Sequence, residues 1–332
     1  MDRENILEVK GLEVGFHTYR GVVRAVRGVS FEVKKGEALG IVGESGCGKS
    51  VTAQAVMGLL PKEVAEVSGG SAVFDGEELL SLEEAAKRRI RGNRLAMIFQ
   101  DPMTSLNPVL SIGTQLTEGL CLHRGLDAEA ARLRAVELLQ LVGIPAPEQR
   151  LADYPHQFSG GMRQRAMIAM ALACEPELLF ADEPTTALDV TIQAQIIELL
   201  AELKARLGMS IVLISHDLGV IAGLCDRVQV MYAGQIIEGG TAEELFAEPL
   251  HPYTQGLLAA LPRPDADKAQ ELTTIDGQPP DLLYAIRGCA FAPRCPYAMR
   301  VCVQAQPPET VAGTHRVSCW LQQKKEIEEG RL

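Results

Sequence analysis

The chain has 332 residues, 47% of them hydrophobic and 23% charged, with a formal net charge of −11. That length holds one large domain with a smaller one beside it. The acidic balance, with no basic run longer than Lys87-Arg88-Arg89, excludes broad nucleic-acid binding, and no apolar run reaches the roughly 20 residues of a membrane span.

From Ile6 to Phe16 the sequence alternates as a strand, and Val29 to Val33 alternates again before the turn signal Lys35-Gly36. Between them, Phe16-His17-Thr18-Tyr19 puts rings in a polar stretch. Phe16 or Tyr19 can stack on a purine base, or Phe16 can simply be the last inward residue of its strand.

The short apolar run beginning at Ala38 breaks into Gly43-Glu44-Ser45-Gly46-Cys47-Gly48-Lys49-Ser50, which fills the pattern G-x-x-x-x-G-K-[ST], and Val51 continues into a helix. Glycines let backbone N–H groups curl around a phosphate chain, and the helix turns its positive end toward the same charge. In such a loop Lys49 reaches the β- and γ-phosphates of ATP and the Ser50 hydroxyl ligates Mg²⁺. Cys47 sits where backbone matters most, and a thiol acidified by the helix end would be oxidisable.

Ser68-Gly69-Gly70 then leads to a strand at Ser71–Asp75, and Leu95–Phe99 is a further apolar strand ending in Gln100. The Gln100 amide can ligate Mg²⁺, hold an attacking water or merely satisfy loop backbone. Helix is expected through most of 105–154. Asp127 caps one segment whose Leu133, Val136 and Leu139 share a face, and Gly143 with Pro145 stops it. Ser159-Gly160-Gly161 opens a buried helix, a second geometry able to meet phosphate oxygens.

Leu178 to Glu183 is a buried parallel strand delivering two acids to its carboxyl end. Asp182 is suited to hold Mg²⁺ through water, and Glu183 to polarise the water that attacks the γ-phosphorus. Asp189 lies in a turn before an amphipathic helix from Ile196 to Leu207. Ile211–Ile214 is another buried strand, with His216 just past it, where an imidazole can reach a γ-phosphate. Residues 228–238 alternate about Ala233-Gly234 as a hairpin.

With these motifs in this order, residues 6–248 resemble the nucleotide-binding subunits of ATP-binding cassette (ABC) transporters. The resemblance implies an α/β fold, a P-loop NTPase cassette with a RecA-like core, an antiparallel β subdomain and a helical subdomain at about 101–175. It implies that Phe16, or Tyr19, stacks on adenine, that Gln100 senses Mg²⁺ and the membrane partner, that Glu183 is the general base, that Asp189 communicates across a dimer and that His216 is the switch histidine. Ser159, Gly160 and Gly161 would clamp the ATP bound by a second subunit. Phe158 and Met162 depart from the family's usual Leu-Ser-Gly-Gly-Gln. Gln100 to Pro108, with His251-Pro252-Tyr253-Thr254, is similar to the dipeptide, oligopeptide and nickel importer subgroup. That likeness implies a second, non-identical ATPase subunit, two membrane permeases and an external substrate-binding protein, with peptides, nickel chelates or opines as cargo. A soluble cassette ATPase working on nucleic acid is the rival expectation.

The polar start Asp2-Arg3-Glu4-Asn5 has no apolar core behind it, so a cytoplasmic chain at the inner face of the membrane, without a signal peptide, is expected. Residues 249–332 form a C-terminal extension in which ten of the chain's eighteen prolines fall by Pro308. Its four cysteines, Cys289, Cys295, Cys302 and Cys319, suit Zn²⁺ or an iron–sulfur cluster, and their spacing does not choose. The subgroup resemblance implies [4Fe-4S]; unbound thiols are the third reading, and His315 can replace one cysteine as ligand or stand just outside the ligand set. Cys121, Cys174 and Cys225 are expected as small core residues.

Overall fold

A computed structural model describes residues 4–186, 188–261 and 275–323. In chain order it begins with two long strands, β1 (Asn5–Thr18) and β2 (Gly21–Lys34), then β3 (Ala38–Val42), α1 (Lys49–Met57), β4 (Ala65–Phe74) and β5 (Glu77–Glu78). There follow α2 (Glu84–Ile90), β6 (Leu95–Ile98), α3 (Pro102–Ser105), α4 (Ile112–Arg124), α5 (Ala128–Leu141), α6 (Pro147–Arg150) and α7 (Gly160–Leu172). The next elements are β7 (Leu178–Asp182), α8 (Val190–Leu207), β8 (Ser210–Ser215), α9 (Leu218–Ala222), β9 (Arg227–Tyr232), β10 (Gln235–Thr241) and α10 (Ala242–Ala247). Last come α11 (Pro252–Ala259), α12 (Arg300–Gln304), β11 (Glu309–Ala312) and β12 (His315–Ser318). Among the described residues no helix is long and apolar enough to cross a membrane.

The chain divides into two compact units. The first holds described residues 4–7, 33–38 and 73–215. In it β6, β7 and β8 lie parallel, with Ile98 opposite Ala181 and Asp182 opposite Ile214, so their carboxyl ends finish side by side. Every residue of these three strands is buried, as expected for parallel strands covered on both faces. The helices α4, α5 and α7 pack together in the same unit. Asp127 caps α5 as anticipated, accepting from the Ala130 N–H at 2.9 Å. Leu133 does not share the buried face of Val136 and Leu139; it is exposed, and Ala131, Ala135 and Leu138 take the inner side instead. Helix α8 starts six residues before Ile196, because Asp189 is its N-cap and accepts from the Ile192 N–H at 3.0 Å.

The second unit holds described residues 8–32, 39–72, 216–261 and 275–323. One sheet runs β2-β1-β4. Here the Ser68-Gly69-Gly70 stretch belongs to β4 rather than to a connector. In the other sheet β3 pairs parallel to β9, and β9, β10, β12 and β11 follow antiparallel. The hairpin turns at Ala233 (φ 47°) and Gly234 (φ 80°), two left-handed residues as a tight hairpin requires. The C-terminal strands extend this hairpin's sheet, with Glu238 opposite Val317. A small core of Ala292, Cys302 and Trp320 supports the rest of the tail.

Candidate nucleotide site

In the second unit, β3 ends at Val42 and the chain turns sharply at Gly43. A Cβ there would lie 2.1 Å from the Met231 carbonyl oxygen, so only glycine fits. Gly48 (φ 104°) is likewise confined, a Cβ meeting the Ala25 carbonyl at 2.5 Å. Gly48 is also the N-cap of α1, and with no side chain to cap the helix and no acid in its first turn, the loop keeps a positive helix end. The Lys49 ammonium is buried and curls over the loop, donating to the carbonyls of Gly43 at 2.7 Å and Glu44 at 3.0 Å. Cys47 is not an activated thiolate: burial pushes its thiol up, more than the neighbouring Lys49 charge lowers it.

The loop is braced from the C-terminal side of the chain. Tyr253 Oη accepts from the Glu44 N–H at 2.8 Å, and the Arg294 guanidinium grips the Glu44 carboxylate with two bonds of 2.7 and 2.9 Å. Tyr232, Tyr253 and Phe291 form an aromatic cluster under this brace, with ring centroids 4.6 to 5.4 Å apart. None of these partners was identified as part of the site from sequence. The only signal is the His251-Pro252-Tyr253-Thr254 run, which marks the importer subgroup without pointing to the loop. Phe16 is half-buried at its strand end, whereas Tyr19 is 99% exposed.

In the first unit the predicted acids and amide meet. Asp182 closes β7 and is buried. Glu183 leaves the strand in a left-handed conformation (φ 45°), so the expected simple alternation of faces ends at Asp182. Three contacts hold this strained backbone and its side chain. The Glu183 N–H donates to the Ile214 carbonyl at 2.9 Å, and its Oε2 accepts from Gln100 Nε2 at 2.9 Å and from the Thr186 hydroxyl at 2.8 Å. Strain so thoroughly over-determined is a mark of functional positions. Ser159 and Gly160 lie exposed at the start of α7, where the Ser159 hydroxyl caps the helix by accepting from the Met162 N–H at 3.3 Å. His216 is exposed immediately after β8.

The four tail cysteines are not gathered as expected. Cys302 and Cys319 are buried, Cys289 and Cys295 partly so, and each of Cys289, Cys295 and Cys302 would raise the thiol of Cys319, which burial pushes up to about 12. They therefore share one neighbourhood. Yet among the described residues no three His, Cys, Asp or Glu side chains come together to hold a metal ion. Cys302 explains part of this: it is turned into the apolar core with Ala292 and Trp320, its sulfur accepting from the Met299 N–H at 3.4 Å. His315 spends its Nε2 on the buried Glu238 carboxylate at 2.8 Å. Cys174 and Cys225 are buried as anticipated, but Cys121 is exposed on α4.

A glycine-built phosphate loop opening a helix, and an amide–carboxylate pair where parallel strands end, define a P-loop nucleoside triphosphatase. Comparison with known proteins narrows the class. A family model described as "ABC transporter" matches residues 26–186, and one described as "Oligopeptide/dipeptide transporter, C-terminal region" matches residues 237–302. The chain is 55% identical over 323 residues to the dipeptide transport ATP-binding protein DppD of Bacillus subtilis, covering 97% of this chain and 96% of that one. It is 55% identical to the oligopeptide transport ATP-binding protein OppD of the same organism, covering 95% and 88%. Among solved structures, the dimeric cassette MJ0796 bound to ADP and Pi aligns with a TM-score of 0.64 at 27% identity, covering 71% of this chain and 98% of that one. CbiO1 of Clostridium perfringens aligns at 0.62 and 30%, covering 74% and 92%. The chain belongs to the ABC transporter family, has the ATP-binding cassette fold and is an ATPase of that kind.

Proposed function

We propose that this chain powers import of dipeptides or oligopeptides across the cytoplasmic membrane, working peripherally at its cytoplasmic face. The single observation that carries the reading is the Gln100–Glu183 contact of 2.9 Å at the ends of β6 and β7. It links the residue suited to sense the membrane partner to the residue suited to activate water. The names of DppD and OppD, which are similar over nearly the whole chain, support peptides over nickel chelates or opines. The working assembly in this reading pairs residues 1–248, the cassette, with a second and non-identical ATPase, two permeases and an external binding protein. Residues 249–332 form the extension.

Each residue's part follows from its chemistry. The loop 43–51 binds the triphosphate through backbone N–H groups, and Lys49 neutralises its charge. Phe16 supplies the ring for adenine. Ser159 and Gly160, exposed at the positive end of α7, and the half-buried Gly161 meet the γ-phosphate held by the other subunit, with Asp189 signalling across that interface. The dimeric MJ0796 cassette, bound to ADP and Pi, supports such a pairing. Glu183 takes a proton from the attacking water, and His216 holds the γ-phosphate end of the site. Mg²⁺ is a hard cation that neutralises developing phosphate charge, and Ser50, Gln100 and Asp182 offer it oxygen alone. Gln100 spends an amide N–H on Glu183, a bond that leaves its oxygen for that use.

The tail thiols match an iron–sulfur cluster in donor type and number but not in spacing. In this reading Cys289, Cys295, Cys302 and Cys319 would hold [4Fe-4S], rather than Zn²⁺, and the cluster would staple the extension. Iron and sulfide content with visible absorbance, lost in Cys302→Ser, tests this.

Glu183→Gln in the assembled transporter is expected to keep Mg·ATP affinity within about twofold while turnover falls at least about a hundredfold. Turnover at the parent rate would remove Glu183 from the role of base. Co-purification with nucleic acid instead of permeases would favour the soluble rival.

A further inference from the structure

Arg294 lies one residue before Cys295, far from any nucleotide motif, yet it is the most completely engaged side chain near the phosphate loop. A guanidinium carries five N–H donors in a rigid fork. All five are used here. Nε donates to the Asp276 carbonyl at 2.9 Å, one terminal nitrogen to Glu44 at 2.7 Å and to the Tyr232 hydroxyl at 3.3 Å, and the other to Glu44 at 2.9 Å and to the Ile275 carbonyl at 3.0 Å. The side chain is only 5% exposed, and it lies over the rings of Tyr232 and Phe291, each 5.9 Å from its centroid.

Glu44 is the second residue of the loop whose N–H groups must face a triphosphate. A lone carboxylate there would repel that anion. The fork neutralises the carboxylate and, by its bidentate geometry, fixes where it points. Tyr253 fixes the Glu44 N–H from the same side, at 2.8 Å. With Lys49 donating to the Glu44 carbonyl at 3.0 Å, every polar group of this residue is held.

We infer that Arg294 is a positioning residue for the phosphate loop, through which the cysteine-bearing extension sets the affinity of the cassette for Mg·ATP. The inference rests on the nucleotide assignment above. It also makes the extension part of the nucleotide site rather than an appendage.

The test uses the purified full chain and its binding of Mg·ATP, with Trp320, the only tryptophan and part of the tail core, as an internal report on the extension. Arg294→Lys keeps the charge but loses the fork. It is expected to weaken Mg·ATP binding about five- to twentyfold with parent-like Trp320 emission, and in the assembled ATPase to raise KM by a similar factor while kcat stays within about twofold. Glu44→Gln should weaken binding comparably, and the double variant should be no weaker than the weaker single one, as for two halves of one contact. Additive losses, or binding within twofold of the parent in Arg294→Lys, would overturn the inference. Should Arg294→Lys disturb Trp320 emission, Glu44→Gln decides, since it changes no residue of the tail: weakened binding at parent-like Trp320 emission supports the inference and unchanged binding overturns it. A parent chain that does not bind Mg·ATP, or binds it equally well as Lys49→Ala, would instead undo the nucleotide assignment.

Discussion

His251 is a buried neutral base, and acid should find it. The residue is 1% exposed, Nδ1 accepts from the Tyr253 N–H at 3.0 Å to cap α11, and Nε2 has no hydrogen-bond partner among the described residues. The Phe291 ring stands 5.8 Å away, and the nearby Glu238 carboxylate is occupied by the His251 backbone N–H at 3.0 Å. Burial therefore prevails and lowers the imidazole to about 4. In the unfolded chain the same ring titrates near 6.5. Above that pH both states are neutral and nothing is at stake. Below it the unfolded state takes up a proton that the native state refuses, so stability falls by about 1.4 kcal/mol per pH unit until the folded ring titrates near 4. From pH 7 to pH 5 the loss attributable to this one residue is about 2 kcal/mol. Urea unfolding followed at Trp320, run at both pH values on the parent and on His251→Asn, isolates it. Asparagine keeps a capping acceptor but does not titrate, and its own cost at pH 7 cancels in the comparison. The parent should lose about 2 kcal/mol more than the variant. Equal losses in the two proteins would refute the assignment of a neutral, buried His251.

Gly43→Ala would force a methyl carbon to within 2.1 Å of a backbone oxygen of β9 that cannot retreat, so the loop must shift; Mg·ATP affinity should fall at least about tenfold with the circular dichroism spectrum unchanged. Glu238 is 1% exposed and accepts from the N–H groups of Leu250 and His251 and from His315, so Glu238→Ala should cost about 3–5 kcal/mol in chemical denaturation. A cost below about 1 kcal/mol would mean the three donors find other acceptors. Iodoacetamide at pH 8 should modify Cys121 quickly, because it is exposed, and leave Cys319 untouched until denaturation, because its thiol is held near 12; Cys121→Ser should remove the fast phase.

The elements that sequence located well are those specified by residues close together. The loop 43–50, the hairpin at Ala233-Gly234 and the Asp127 cap each carry their geometry in a few adjacent side chains. Leu133 was misplaced because helical spacing gives a direction but not the neighbour that would cover it. The amphipathic pattern starts only at Ile196 because the first turn of α8 leaves its apolar residues uncovered, Val190 being exposed; only the capping Asp189 announces the true start. Cys121 was placed inside because a small thiol signals neither face. Nothing local told that Glu183 would leave its strand at φ 45°, since that conformation is imposed by Gln100, Thr186 and Ile214.

Hydrophobic periodicity records which face meets water, and it is silent on which charge meets which. Within each unit, polar pairs join residues far apart in the chain: Gln100 with Glu183 in the first, Glu44 with Arg294 and Glu238 with His315 in the second. In the first pair both members lie in recognisable motifs. In the second only Glu44 does, and Arg294 comes from a proline-rich stretch with few long apolar periods to bury on its own. It holds its place by leaning on the rest of the second unit. The tail adds strands to the β9–β10 hairpin, sets Phe291 against Tyr232 and Tyr253, and spends a buried guanidinium on the phosphate loop. A segment with so small a core of its own is stable only where those contacts persist, so damage to either partner should be felt by both.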